Sequence, residues 1–124
     1  METLENKNLQ DKRKKANAYF VKEIMDALPH ELLFKVYDFA ITHCQRHNVE
    51  KTNRAISELI NALNFEDNET RELSTSLLQL YQFAQEQVRR GNFDIALKVL
   101  TGLRETWAEL FEGLFSSMPT AKAN

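Results

Sequence analysis

The sequence predicts an all-α fold, an antiparallel up-down-up-down four-helix bundle preceded by an N-terminal lead-in. Three observations carry this. Its 124 residues contain three Gly and two Pro, too few punctuating residues for a turn-rich β architecture. Apolar residues return at helical spacing in each successive stretch. The polar breaks between those stretches are only a few residues long, and short connections force neighbouring helices to run antiparallel.

Residues 1–15 read as a polar, solvated tail closing on the basic run Lys12, Arg13, Lys14, Lys15. Residues 16–28 form an apolar lead-in with Tyr19, Phe20, Val21, Ile24 and Met25, and the bundle is expected over 29–116. Pro29 reads as the first residue of helix one, because its fixed φ suits a helix and its missing N–H would be unpaired there anyway. Leu28 stands before it where a capping side chain would serve, with Asp26 as the nearest substitute. The helix should run to His47, with Leu33, Tyr37, Ala40 and Cys44 on one face and Leu32, Val36 and Phe39 widening the stripe.

Asn48 then breaks and caps, and helix two is expected over Val49 to Phe65 on Ile56, Leu59, Ile60 and Leu63. Glu66 to Glu69 read as a turn that places acids at the positive end of helix three. Helix three, Thr70 to Arg90, carries a near-heptad seam of Leu73, Leu77, Leu80, Tyr81, Ala84 and Val88, with Gly91 as a left-handed stop. Helix four, capped by Asn92, has the stripe Phe93, Ala96, Leu100, Leu103, Trp107, Leu110 and Leu114. Residues 117–124 are a small polar tail. Phe34, Ile41, Leu78, Phe83, Phe111 and Phe115 are apolar positions off these seams.

Composition narrows the function. A net charge of −2 and a pI near 5.9 give no electrostatic footprint for nucleic acid. A single cysteine fits a reducing compartment, the N-terminal stretch has no apolar signal core, and no run is long enough to span a membrane. A cytoplasmic location is the expectation. No catalytic signature emerges, so no enzyme activity and no cofactor are expected.

His43 and His47, with Cys44 between them, form an i, i+4 pair that nothing else in the chain completes as a metal site. Neither histidine has the sequence context of a phosphotransfer domain, which remains the weakest alternative. Asn48-Val49-Glu50 echoes Asn92-Phe93-Asp94 at 44 residues, against about 34 for a tetratricopeptide array. Two hairpins of one bundle account for that echo.

Several stretches, in order, resemble one family. They are Ala18-Tyr19, Ile24, Ala27-x-Pro29-x-Glu31-Leu32 with Val36-Tyr37, then Glu50-Lys51-x-Asn53 and Glu72-Leu73-Ser74. Leu77-x-x-Leu80-Tyr81-x-Phe83, Gly91-Asn92 and Leu103-Arg104-Glu105-Thr106-Trp107 follow. Together they resemble the bacterial flagellin-specific export chaperones, the FliS family. Both hairpins read shorter than the family pattern by about one heptad, as trimming one layer from one bundle end would produce.

The resemblance implies a non-enzymatic bundle that binds the disordered C-terminal segment of flagellin, prevents premature polymerisation and delivers it to the flagellar type III export apparatus. An export-gate component is a further partner it leaves open, and a second copy of the chain is the partner expected under the alternative reading of a self-association module. It makes Tyr19, Ile24, Leu33, Tyr37, Leu77, Leu80, Tyr81 and Trp107 the candidate client-binding residues. The lead-in around Tyr19 and Ile24 would be either a displaceable cover of the client surface or a fixed part of the core. The alternative is a generic helical interaction module or a secretion co-chaperone of the same fold.

Overall fold

The computed structural model describes residues 23–25 and 28–115, with side chains through 112. Among the described residues the chain forms α1 (His30–Gln45), α2 (Val49–Asn61), α3 (Asn68–Arg89) and α4 (Phe93–Phe115), with no strand. Each helix packs against its neighbours in sequence, and α1 closes the ring against α4. This is the predicted four-helix bundle.

The helix boundaries follow local chemistry. Pro29 is the N-cap of α1 rather than its first residue; at ψ 147° it is extended, and its carbonyl accepts the Leu33 N–H at 2.9 Å. Asn48 caps α2 as expected, its Oδ1 accepting the Lys51 N–H at 2.9 Å. Asp67 caps α3 through Glu69 N–H, so that helix starts at Asn68, two residues before the expected Thr70. Asn92 opens α4 through its backbone carbonyl, which accepts from Ala96, while its side-chain amide donates to Gln87. Asp26, the substitute cap, lies outside the described residues.

α1 and α3 end in the same motif. The His47 N–H reaches Cys44 O and the Asn48 N–H reaches His43 O; Gly91 and Asn92 repeat this to Val88 and Gln87. Both motifs need a left-handed residue, supplied by His47 at φ 59° and Gly91 at φ 80°. The match extends inward. Leu33, Tyr37, Phe39 and Ala40 recur 44 positions later as Leu77, Tyr81, Phe83 and Ala84. The two hairpins are variations on one pattern.

The core is a layered seam with Tyr37, Ala40 and Cys44 from α1, Ile56 and Leu59 from α2, Tyr81, Ala84 and Val88 from α3, and Ala96, Leu100 and Trp107 from α4. Burying each large aliphatic side chain contributes about 1.5–3 kcal/mol. Two expectations are corrected here. Leu32 and Phe39 do not join the packed stripe of α1; each is 46% exposed. On α3 the buried heptad positions are Thr70, Ser74, Leu77, Tyr81, Ala84 and Val88, while Leu73 and Leu80 lie beside them, 40% and 41% exposed.

Small polar residues can hold seam positions because the α2–α3 connection satisfies them. Ser74 Oγ donates to Asn64 O at 2.7 Å, and Thr70 Oγ1 approaches Asp67 O at 3.5 Å. α2 stops at Asn61, short of the expected Phe65, for the same reason: the next residues leave the helix to make these contacts. Phe111, read as off-seam, is buried and packs against His30 and Phe34.

Candidate functional site: an apolar groove between α3 and α4

Leu73 and Leu80 lie one heptad apart on α3, beside the buried seam rather than in it. Leu103 and Leu110 repeat the spacing on α4, where both are half-buried. Between these rims runs a groove of about 220 Å³, floored by Leu77 and Trp107 and lined also by Ile24. Ser76 and Thr106 are the polar residues along it. The volume is below the ~300–1,000 Å³ of small-molecule sites and suits a few large apolar side chains.

Ile24 arrives at the groove from outside the bundle's helices. Its carbonyl accepts the Asn64 N–H at 2.9 Å, and the Asn64 side-chain amide donates to Glu23 O at 2.9 Å. Ile24 and Met25 are both buried, so the end of the lead-in is packed into the core. Tyr19 lies outside the described residues.

Of the other candidate residues, Leu77, Leu80 and Trp107 converge on the groove with Ile24. Leu33, Tyr37 and Tyr81 do not. They are buried in the seam beneath it and have no surface to offer a partner directly. Leu73, Leu103 and Leu110, assigned from the sequence to the packed seams, are the groove residues that reading missed. The signal for them was present: Leu73 and Leu80 share a heptad position distinct from that of Tyr81 and Val88.

Below the groove floor lies a buried polar chain. Trp107 Nε1 donates to Tyr37 Oη at 2.9 Å, and Tyr37 Oη lies 2.5 Å from Tyr81 Oη. Burial raises the Tyr37 hydroxyl well above its ordinary pKa, reinforced by Tyr81 and partly offset by the Trp107 N–H. Tyr81 is pushed up to about 12, again mainly by burial. Both rings therefore stay neutral, and the chain is a hydrogen-bond link between α1, α3 and α4.

The corresponding face of the other hairpin is different. Between α1 and α2, Leu32, Val36, Phe39 and Ala55 line a shallower depression of about 300 Å³ whose rim carries Lys35, Arg54 and Glu58. Across the α1–α4 face, Arg104 forks onto Asp38 at 2.6 and 3.3 Å and covers the Phe34 ring at 5.1 Å.

The histidine pair points to separate neighbours. His47 stacks on Phe93 with ring centroids 4.3 Å apart, His43 leans on Phe39, and the buried Cys44 thiol faces Phe93 O at 3.5 Å. Desolvation, then Lys51 and Arg46, lower the His43 pKa, while burial and then Asp94 raise the Cys44 thiol. Among the described residues no three His, Cys, Asp or Glu side chains are grouped to hold a metal ion, and no helix is long and apolar enough to cross a membrane. Comparison with protein-family models, curated proteins and solved structures returns no match.

Proposed function

We propose that this chain is an export chaperone of the flagellin-binding type, which holds the disordered C-terminal segment of flagellin and delivers it to the flagellar type III export apparatus from the cytoplasm. The observation that carries the reading is the α3–α4 groove, whose rims of leucine at heptad spacing suit the i, i+3, i+4, i+7 anchors of an amphipathic helix. Such a segment would fold as it docks, giving up part of its interaction energy to ordering. The ordered set of sequence motifs supplies the client's identity, and Ile24, Leu77, Leu80 and Trp107 are the residues that would touch it. The work is binding, with no chemical step and no cofactor.

Titration calorimetry against a synthetic flagellin C-terminal peptide tests this directly. Saturable binding that Leu80→Asp weakens at least tenfold is expected. Absence of heat with that peptide and with other flagellar export substrates would overturn it. The exposed Leu32 and Phe39 favour a second reading, a helical interaction module that pairs through α1. A dimer that persists at nanomolar concentration and is lost in Phe39→Asp would select that reading.

A further inference from the structure

Tyr37 is fully buried, belongs to α1, and has no place in the groove, yet it is the hydrogen-bond partner of the residue that forms the groove floor. An indole N–H can only donate, and in an apolar core an unmade bond would cost the full desolvation of that N–H. The orientation of Trp107 that reaches Tyr37 Oη is thus favoured over other rotamers, and it is the one that lays the ring along the groove. We infer that Tyr37 is a positioning residue for docking in the α3–α4 groove, acting from the opposite hairpin by fixing the Trp107 indole. This rests on the groove being the docking site.

The donor count makes Tyr37 and Tyr81 unequal. Trp107 N–H and the two tyrosine O–H groups supply three hydrogens, and the chain contains two bonds. Whichever tyrosine donates in the bond between them, it is Tyr37 that accepts from Trp107. Replacing Tyr37 by Phe removes both bonds and leaves the indole N–H only the Tyr81 hydroxyl beside it, which it can reach only by turning away from its present alignment. Replacing Tyr81 by Phe leaves the Trp107–Tyr37 bond in place. A chain that merely glued the helices together would lose stability in both variants and docking affinity in neither.

The test compares Tyr37→Phe and Tyr81→Phe, each alone and combined with Trp107→Phe. The probes are the flagellin C-terminal peptide and the dye 1-anilinonaphthalene-8-sulfonate, counting for the dye only the binding that Leu80→Asp abolishes. Both tyrosine variants should unfold at lower urea concentration. Only Tyr37→Phe should weaken probe binding, by about tenfold, and shift the emission of Trp107, the chain's one tryptophan. In the Trp107→Phe background, Tyr37→Phe should weaken binding no further. Equal affinity losses in the two tyrosine variants, or unchanged affinity in a folded Tyr37→Phe, would overturn the inference.

Should Tyr37→Phe fail to fold, the same bond is cut from its other end by placing β-(3-benzothienyl)alanine at position 107, sulfur replacing the N–H. The same affinity loss is expected there, and unchanged affinity overturns the inference. A wild-type protein that binds the dye in the groove but not the peptide removes the flagellin reading alone, and the dye series still decides the role of Tyr37.

Discussion

The two hairpins share a pattern at an offset of 44 residues but present different faces. Where α1 has Val36 beside a rim of Lys35, Arg54 and Glu58, α3 has Leu80 in a groove lined by leucines with no charged residue. Where the turn after α2 places Leu63 at the seam, α4 places Trp107, which reaches both the core and the groove. The buried positions scarcely differ in kind: Leu33 answers Leu77, Tyr37 answers Tyr81 and Ala40 answers Ala84. A repeated hairpin is enough to make the bundle, and the departures from the repeat are where docking chemistry can reside.

The largest break in the comparison should come from Trp107. Trp107→Ala is expected to cost about 3–5 kcal/mol in urea unfolding, and Leu63→Ala at the matching position about 2–3 kcal/mol, because it is smaller and stands over no groove. The next contrast concerns binding. Leu80→Asp should weaken the flagellin peptide at least tenfold by calorimetry, whereas Val36→Asp should leave its affinity within about twofold. Equal losses would mean that both faces dock the client.

Alkaline titration probes what the hairpins share. The raised pKa values of Tyr37 and Tyr81 mean that the folded state favours the neutral hydroxyl. Their contribution is complete below the ordinary tyrosine pKa of 10 and is lost as pH rises through the raised values, about 12 for Tyr81. In a Tyr19→Phe variant, tyrosinate absorbance should therefore appear together with loss of helical circular dichroism, not before it. The two loops offer a smaller contrast. Gly91→Ala should destabilise by about 1 kcal/mol through its left-handed backbone alone, since nothing lies within 4 Å of an added Cβ. His47→Gly should be near neutral, with relief of backbone strain offset by loss of the Phe93 stack.

The smallest effect belongs to Glu86, whose pKa is lowered by hydrogen bonds from Arg89 and Arg90. Its contribution is present above the ordinary value of 4.5 and fades as pH falls below it. The last turn of α3 should loosen there, measured by backbone chemical shifts, while α1, with Thr42 at the matching position, should not respond.

Periodicity in the sequence located all four helices and most of the seam, since a buried face imposes its spacing on the residues that fill it. What it missed depended on distant partners. On α3, hydrophobicity alone favours Leu73 over Ser74. The seam takes Ser74 because Asn64, ten residues earlier, accepts its hydroxyl. α2 stops early where Asn64, besides accepting from Ser74, also holds Glu23 and Ile24, some forty residues upstream. Ile24, Leu77, Leu80 and Trp107 were legible as a set. That Tyr37 bonds Trp107 from beneath them was not, because a hydrogen bond across 70 positions leaves no local pattern.

Asn64 gathers these threads. Its main-chain N–H and carbonyl, its amide N–H and its amide oxygen meet Ile24, Ser74, Glu23 and Glu66 in turn. Amide side chains are thermolabile, and hydrolysis here would turn a donor to Glu23 O into a carboxylate oxygen 2.9 Å from a carbonyl. A mass gain of about one dalton would then remove one of the two hydrogen bonds from Asn64 to the lead-in, leaving the Asn64 N–H to Ile24 O and the buried Ile24 and Met25 to hold it. A one-dalton heavier fraction in the mass spectrum of a stored sample should therefore accompany a loosened contact at Glu23, not a loss of the bundle.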